Sequence, residues 1–164
     1  MPGDEKKIGP DLSAAIHGLG RSRGGLTTKV IVTATDADTV VAVDVAPGQA
    51  SDFTLAPGIL DRTLDRVPVV DEVIGDKGFD GDALRGRLID RGVQPVIPNK
   101  ANRVDPWPFD PAAYRERNRV ERLFAKAKQF RRFATRYVKL RESFLGVVHL
   151  VLGFIRLRSS VNRP

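Results

Sequence analysis

Two acidic residues, Asp76 and Glu121, have the surroundings that metal-dependent phosphate chemistry requires. Asp76 follows an apolar stretch and opens the segment Asp-Lys-Gly-Phe-Asp, whereas Glu121 lies in a strongly basic part of the chain. Carboxylates that come together can hold Mg²⁺, with water and phosphate oxygens filling the remaining positions. Two such ions activate the attacking oxygen and stabilise the leaving one in phosphodiester chemistry. The residue types therefore suggest a two-metal site, although the sequence alone does not bring these acids together.

The segment around Glu121 is predicted to be a helix with one functional edge. Residues 114–128 contain no Gly or Pro, which favours a helix. Tyr114, Glu121 and Lys128 are spaced by seven residues, and Arg117 lies within about one turn of the same line. An apolar arc beside this edge consists of Val120, Leu123, Phe124 and Ala127. The alternative interpretation is that Glu121 simply pairs with an arginine on a solvated face.

The positive charge of the chain is concentrated in its C-terminal half. The whole chain carries +7, but residues 1–98 hold 11 Lys and Arg against 15 Asp and Glu. Residues 99–142 hold 13 basic and 5 acidic side chains, a net charge of +8. A basic face of this kind is the electrostatic signature of nucleic acid binding. The alternative is a generally basic protein without a specific partner.

Length and composition exclude several classes of protein. A chain of 164 residues suits one domain with a real core. It has no cysteine, so neither a disulfide framework nor a thiolate metal site is expected. The longest apolar stretch, residues 144–155, is interrupted by His149 and is too short to span a bilayer. With no hydrophobic signal region at the N-terminus, these features predict a cytoplasmic protein that does not insert in a membrane.

The elements that would position the two acids alternate between strands and helices. A hairpin is predicted at residues 26–45, and a strand–helix–strand unit with parallel strands at residues 69–97. This unit places Asp76 at the carboxyl end of a strand, where ligand sites of open sheets lie. Residues 1–25 are expected to be an irregular leader and residues 159–164 a tail. The helices are predicted at about residues 52–64, 81–91, 111–130 and 142–158.

Several motifs of this chain resemble, in the same order, those of bacterial insertion-sequence DDE transposases. Tyr114, Arg117, Glu121 and Lys128 match the Tyr-Arg-Glu-Lys signature of that family in residue type and spacing. The segment Gly-Arg-Ser-Arg-Gly-Gly-Leu-Thr-Thr-Lys at residues 20–29 also resembles the family. The other similar segments are residues 47–49, 76–80, 96–98, 129–137 and 148–150. The resemblance therefore covers nearly all of the chain from Gly20 to Arg158.

The resemblance implies an α/β, ribonuclease-H-like catalytic domain at residues 26–158, with a mixed sheet and flanking helices. In that family three acids bind two divalent ions, Mg²⁺ or Mn²⁺, which drive strand cleavage at transposon ends and strand transfer. By resemblance, Asp76 corresponds to the second acid and Glu121 to the third. DNA contacts are expected from the basic segment and the signature, at Tyr114, Arg117, Arg122, Lys128, Arg131 and Arg132.

The first acid of the family has no counterpart here. It lies on a strand before the Arg-Ser-Arg-Gly-Gly segment, and nothing upstream of Gly20 has the pattern of that strand. Asp11 follows a proline in a loop, and Asp36 lies in the predicted hairpin turn. The expectation is therefore a truncated domain without its first strand, the C-terminal part of a transposase that is inactive alone.

Two origins and two functions stay open at this point. The chain is either a second reading frame joined to an upstream frame by ribosomal slippage or a decayed remnant. The competing function is a non-catalytic DNA-binding protein that inhibits transposition. The expected partners are DNA, a second copy of the chain on paired transposon ends, and an upstream reading-frame product. The protein is expected in the bacterial cytoplasm, associated with the nucleoid when it binds DNA.

Overall fold

The computed structural model describes residues 16–22 and 25–161, which form an α/β protein. The strands are β1 (Gly20–Ser22), β2 (Gly25–Ala34), β3 (Val40–Pro47), β4 (Glu72–Ile74) and β5 (Gln94–Val96). The helices are α1 (Asp52–Arg66), α2 (Asp82–Ile89), α3 (Pro111–Tyr114), α4 (Asn118–Lys128), α5 (Arg131–Ala134) and α6 (Arg141–Val161). Two 3₁₀ turns occur at Lys77–Phe79 and Arg115–Arg117.

The predicted hairpin is confirmed as the β2–β3 pair of an antiparallel sheet with the order β1-β2-β3. Its register runs from Thr28 opposite Pro47 to Ala34 opposite Val40. Val, Ile and Thr dominate β2, and branched side chains suit a pleated surface. Asp36 closes the connecting turn, because its carboxylate accepts hydrogen bonds from backbone N–H groups two and three residues further on.

Part of the predicted irregular leader is a strand. Residues 20–22 form β1, which pairs with the first three residues of β2. A Cβ atom at Gly20 would lie 1.4 Å from Gln49 Oε1, so glycine allows this close approach. Because this contact joins residues that are far apart in the chain, the local sequence pattern does not indicate the strand. Residues 1–15 and 23–24 of the predicted leader lie outside the described residues, and Gly25 already belongs to β2. At the other end, α6 continues past the predicted end at residue 158 to Val161.

The predicted parallel unit is confirmed, but in a shorter form. β4 and β5 are parallel, with Glu72 opposite Gln94 and Ile74 opposite Val96, and α2 connects them. The mostly apolar residues 69–75, which begin this unit, predict a central strand. Among the described residues β4 instead pairs only with β5, and Val69 before it is 75% exposed. The α/β arrangement with both sheet types is compatible with a ribonuclease-H-like fold, and a missing first strand stays a prediction.

The core fixes the helix that carries Glu121. Leu123 and Ala127 of α4 are fully buried against Val45 of β3 and Val148 of α6. Burying a leucine side chain such as that of Leu123 stabilises the folded state by roughly 1.5–3 kcal/mol. The opposite edge of α4 therefore faces solvent, and this edge carries the polar side chains. A second cluster joins α1 and α2 to the β4–β5 sheet through Leu60, Leu84, Leu88 and Ile97.

Helix α6 is longer than the sequence analysis expected. By length and composition alone, its 21 residues with a mean hydropathy of 1.5 suffice to cross a membrane. The core helix of a soluble protein passes the same test. One face of α6 lies in the main core through Phe144, Val148, Val151, Leu152 and Ile155. We therefore interpret α6 as a core helix.

Candidate functional site

Asp76 is held by the backbone at the end of the parallel sheet. It lies two residues after β4, and its Oδ1 accepts a hydrogen bond from the Gly78 N–H at 2.7 Å. A Cβ atom at Gly78 would lie 2.8 Å from Asp76 Oδ1 and 3.2 Å from Asp52 Oδ2. Only glycine therefore fits without displacing a carboxylate. The Asp76 side chain is 41% exposed, so its carboxylate is oriented yet accessible.

The predicted helix around Glu121 is confirmed as one helical stretch with an irregular middle. α3, the second 3₁₀ turn and α4 follow one another without a break from Pro111 to Lys128. Asp110 caps its beginning, because its Oδ1 accepts a hydrogen bond from the Ala112 N–H at 2.7 Å. The stretch ends two residues earlier than expected. Glu121, with its side chain 59% exposed, lies in the first turn of α4.

The structure brings Asp76 and Glu121 together through one guanidinium. Arg117 Nη1 donates a hydrogen bond to Glu121 Oε1, and Arg117 Nη2 lies 3.6 Å from Asp76 Oδ2. The interpretation that Glu121 pairs with an arginine is correct for this pair, which is one helical turn apart. The same arginine also reaches the end of β4, however. The three side chains thus form a charged cluster between α4 and the parallel sheet.

Asp76 and Glu121 fit a metal site only in part. Their carboxylates are hard oxygen donors of the kind that Mg²⁺ and Mn²⁺ prefer. Within residues 16–22 and 25–161, no group of three or more His, Asp and Glu side chains could hold a metal ion. Arg117 offsets one of the two negative charges of these acids in the observed arrangement. The described residues therefore offer two ligands, and a complete site requires at least one more.

A second ion pair lies beside Asp76 and was missed by the sequence analysis. Lys29 Nζ is 2.9 Å from Asp52 Oδ1 and also donates a hydrogen bond to the Ala50 carbonyl at 2.6 Å. From the sequence, Ser51 or Asp52 is expected to cap α1, and Ser51 takes this position. The Asp52 carboxylate lies next to Gly78, as does that of Asp76, so that the two acids are close neighbours of the same glycine. The pair connects β2 with α1 next to the candidate site.

A buried ionic cluster anchors the loop that follows Asp76. The sequence predicts Asp80 or Gly81 as the cap of α2, and Gly81 takes this position. The Asp80 side chain is 0% exposed and points into the protein. Its carboxylate accepts hydrogen bonds from Arg85 at 2.9 and 3.1 Å, from Arg103 at 3.0 Å and from the Lys100 N–H at 2.8 Å. Arg85, also fully buried, donates a further hydrogen bond to the Ile97 carbonyl at 2.8 Å. This cluster fixes the Asp76–Asp80 loop against the residues after β5.

The ionisation of Asp80 depends on this cluster. Burial opposes its charged form and acts to raise its pKa. The hydrogen bonds from the Lys100 N–H and Arg85, together with the charges of Arg85 and Arg103, outweigh this effect. The pKa of Asp80 is therefore held below its ordinary value of 3.8.

Two aromatic side chains near the site pack against the protein. Tyr114 is half-buried and lies edge-to-face on Phe109, with 5.3 Å between the ring centroids. Trp107 donates a hydrogen bond from Nε1 to Asp82 at 2.7 Å and lies under the Arg85 guanidinium. Trp107 and Phe109 therefore pack against neighbouring side chains of the protein.

The predicted DNA-binding side chains are mostly on the surface. Arg122, Lys128 and Arg132 are exposed and make no hydrogen bond or ion pair with the part of the chain that the structure describes. Arg131 is also exposed, and its Nε donates a hydrogen bond to Tyr137 Oη at 2.9 Å. These four residues form the basic surface of α4 and α5. Tyr114 and Arg117, in contrast, are occupied by the contacts described above.

Arg136 belongs to the basic segment of residues 99–142 but does not continue this surface. Its guanidinium donates hydrogen bonds to the backbone carbonyls of His17 and Gly18 and lies 5.0 Å from the Phe144 ring. Burial lowers its pKa. Arg136 therefore ties the N-terminal segment to the segment before α6, which is a structural role.

Comparison with known proteins identifies the family. Residues 73–158 match a family model described as "Transposase DDE domain", and residues 6–105 match a second model with the same description. The chain is 30% identical over 135 residues to a Brucella ovis protein named as a transposase for insertion sequence element IS6501. That alignment covers 81% of this chain and 100% of the Brucella protein. This chain belongs to the DDE transposase family.

The first of these family matches contains both candidate acids. It begins at Val73, so Asp76, Arg117 and Glu121 of this transposase all lie within the matched range. No solved structure matches the chain. The geometry of the cluster around Arg117 is therefore the direct basis for assigning roles to these residues.

Proposed function

We propose that this DDE transposase chain supplies Asp76 and Glu121 as two ligands of a two-metal site that cleaves and transfers DNA strands at insertion-sequence ends. The supporting observation is that both carboxylates contact the Arg117 guanidinium, although they come from a strand end and a helix. Mg²⁺ or Mn²⁺ is the expected ion, because the donors are carboxylate oxygens. When bound, the ions would supply activation of the attacking oxygen and charge stabilisation at the leaving one.

We also propose that residues 1–164 alone cleave DNA poorly or not at all. The described residues bring two carboxylates together, and the family chemistry uses three. Loss of one ligand disturbs the geometry of the reacting atoms, and small displacements there are costly in rate. The first acid of the family, together with the first strand, would come from an upstream reading-frame product that combines with this chain.

DNA is the proposed partner of the basic surface of α4 and α5. Arg122, Lys128 and Arg132 offer cationic groups that no described residue neutralises, and residues 99–142 carry a net charge of +8. Phosphate contacts of this kind make binding strongly dependent on salt. We propose that Tyr114 and Arg117 act closer to the two acids and that Arg131 adds to the phosphate contacts. We also propose that two copies of the chain bind paired transposon ends. The protein would lie in the cytoplasm and associate with the nucleoid when it binds DNA.

The second candidate function is a non-catalytic DNA-binding remnant or inhibitor of transposition. The partial set of acids favours it, because a chain with the same basic surface would occupy DNA without cleaving it. Both functions predict salt-sensitive DNA binding. They differ in whether Asp76 and Glu121 bind divalent ions and whether an added partner restores cleavage.

The deciding experiment is cleavage of insertion-sequence end DNA with Mg²⁺, by the purified chain alone and with the upstream-frame polypeptide. The first function predicts little cleavage alone and cleavage by the pair, lost in Asp76→Asn and Glu121→Gln. Glu116→Gln is the matched control, since Glu116 is on the same helical stretch but pairs with Arg119. Efficient cleavage by the chain alone, abolished by Glu121→Ala, would refute the proposed incompleteness. No cleavage under any condition favours the inhibitor.

A further inference from the structure

Helix α6 has two apolar faces, and one of them lies outside the core. This outer face carries large side chains at positions 150, 154, 157 and 161, which recur every three or four residues and follow one line along the helix. Their exposed fractions are 75% for Leu150, 51% for Phe154, 67% for Leu157 and 82% for Val161. We call these four residues the outer stripe of α6. Single exposed apolar residues are ordinary, whereas a contiguous stripe of them marks an interaction site.

Two glycines lie beside the outer stripe, seven residues apart. Gly146 and Gly153 are both exposed, and no described residue lies within 4 Å of a Cβ atom built at either position. Packing within the described part of the chain therefore does not require glycine there, although glycine inside a helix is less favourable than alanine. A second helix would use this space, because glycine allows another backbone to approach closely.

We propose that α6 binds the α6 helix of a second copy of this chain, in antiparallel orientation, through the outer stripe and the two glycines. Along this face glycine and leucine alternate, in the order Gly146, Leu150, Gly153 and Leu157. When two such helices run in opposite directions, Leu150 of one copy lies level with Gly153 of the other, and Leu157 lies level with Gly146. Each large side chain then meets a small one. The face is therefore complementary to itself, as a two-fold symmetric interface requires.

The charges at the two ends of α6 favour the antiparallel direction. Glu142 lies in the first turn, and its side chain is 74% exposed although it contacts Arg141. Arg156 and Arg158 are exposed near the other end. In a parallel pair, each end would lie beside its own copy, and like charges would repel. In an antiparallel pair, Glu142 of each copy approaches the arginines of the other, and the two helix dipoles also oppose each other.

Three other occupants fit the outer face less well. A helix that lies on a membrane has a charged face opposite its apolar one, but the opposite face of α6 lies in the core. A helix of an unrelated protein gives no reason for the equal spacing of the leucines and the glycines. Residues 1–15 contain two prolines and two glycines, which do not suit a helix long enough to cover the outer stripe.

The α6 dimer deepens the proposed function, because it names the surface that would hold two copies on paired transposon ends. That use rests on the proposed function, whereas the contact itself requires neither DNA nor a divalent ion. The outer stripe has far fewer residues than the roughly 20–30 per side of a standard interface, so we expect a weak dimer with a Kd on the order of micromolar. The contact is therefore measured without DNA and without divalent ions.

Disulfide cross-linking of the full chain tests the contact directly, because the chain has no cysteine of its own. Gly153→Cys should form a covalent dimer on oxidation, since the two copies of this position would lie beside the two-fold axis. Gly146→Cys alone should not, because its two copies would lie roughly 16 Å apart along the helices. Gly146→Cys mixed with Leu157→Cys should form a dimer, because these positions would lie level. A dimer from Gly146→Cys alone, or none from Gly153→Cys and from the mixture, would overturn the antiparallel contact.

Two matched variants measure the contribution of the outer stripe. Sedimentation equilibrium of the parent chain should show an equilibrium between monomer and dimer. Leu150→Lys should raise the Kd of the dimer at least about tenfold, since it places a charge in an apolar interface. Val104→Lys is the control and should keep the Kd of the parent, because Val104 is fully exposed and lies outside α6. Equal Kd values for the two variants, or a parent that stays monomeric at every concentration tested, would contradict the dimer.

Two further measurements separate the dimer from a membrane surface and from its proposed use. Binding of a monomeric chain to phosphatidylglycerol vesicles, lost in Leu150→Lys, would overturn the dimer in favour of a lipid surface. Pairing of transposon ends is then compared between the parent and Leu150→Lys, each with the upstream-frame polypeptide. If the dimer forms and Leu150→Lys pairs the ends as well as the parent does, the α6 contact stands and its use on paired ends is refuted.

Discussion

Arg117 and Asp76 form an ion pair that joins the helical stretch to the end of β4, with 3.6 Å between Nη2 and Oδ2. The same guanidinium holds Glu121 through Nη1. A cation between two carboxylates lowers their mutual repulsion, which allows the acids to approach while no metal ion is bound. We therefore expect Arg117 and a divalent ion to compete for the same carboxylate oxygens.

This competition predicts that Arg117→Gln binds Mn²⁺ more tightly. Removal of a nearby positive charge at a partly exposed site changes the free energy of binding by about 1 kcal/mol, or roughly fivefold in affinity. Paramagnetic relaxation of water or protein protons would measure this affinity even if it is weak. Arg119→Gln is the control, because Arg119 pairs with Glu116 instead. Weaker Mn²⁺ binding by Arg117→Gln would contradict competition.

Gly78→Ala should displace the Asp76 carboxylate. A Cβ at this position would lie 2.8 Å from Asp76 Oδ1, closer than side chains tolerate. We expect at least about a tenfold loss of Mn²⁺ affinity, since a misplaced ligand disturbs the whole site. Gly86→Ala is the matched control: nothing lies within 4 Å of its Cβ, and alanine in α2 should raise the free energy of unfolding by about 0.5–1 kcal/mol. Identical metal affinities in both variants would refute this role of Gly78.

Asp80→Asn should destabilise the fold strongly. The substitution leaves Arg85 buried with an uncompensated charge, and breaking a buried pair in this way costs about 3–5 kcal/mol. Urea unfolding measures the loss, and Arg103→Gln provides a milder test of the same cluster if Asp80→Asn does not fold. The control is Asp82→Asn, whose side chain is mostly exposed although it also contacts Arg103. A loss for Asp80→Asn no larger than that of the control would contradict a buried ionic anchor.

The same cluster predicts a loss of stability in acid. The pKa of Asp80 is lower in the folded chain than its ordinary value of 3.8, so the folded state binds the proton more weakly than the unfolded state does. Its contribution is therefore fully present above about pH 4 and is lost as the pH falls through the folded pKa. Urea unfolding between pH 7 and pH 3 should show that the free energy of unfolding falls with pH. The fall should be smaller in the Arg103→Gln variant. Asp36 and Asp38, whose pKa values are also lowered, add to the decline in both proteins.

Lys128→Ala and Arg132→Ala should weaken DNA binding without changing stability. If each residue contacts one phosphate, each substitution should reduce the slope of log K against log salt by about 0.9 on duplex DNA. Arg91→Ala is the control, since Arg91 is an exposed residue of the loop after α2 that pairs with Asp61. Fluorescence anisotropy with duplex DNA at several salt concentrations gives the slopes. Equal slopes for all three variants would place the DNA surface elsewhere.

The elements with strong local patterns could be predicted from the sequence. Branched side chains identified the β2–β3 hairpin, and a stretch without Gly or Pro identified the helix that carries Glu121. The candidate acids followed from the resemblance to a family, and the structure adds that they meet at Arg117. Nothing in the local pattern alone specifies that meeting.

What the sequence analysis missed depends on contacts between distant segments. Arg136 contacts the carbonyl of His17, and Asp80 contacts Arg103. Charge and position in the chain gave no indication that Asp80 is buried and Arg136 half-buried. The same holds for β1, beside which Gln49 packs closely because Gly20 has no side chain. Periodicity reports which face of an element is buried, but it does not report which polar group accepts a hydrogen bond there.

The most direct test of the account is a double-mutant cycle on Mn²⁺ affinity with Asp76→Asn, Glu121→Gln and the double variant. If both acids bind the same ion, each single substitution should lose most of what the double variant loses, because residues in contact with one ligand do not act additively. All three proteins should keep the thermal stability of the parent within a few degrees. Additive losses, or an affinity that neither substitution changes, would contradict a shared metal site at Asp76 and Glu121.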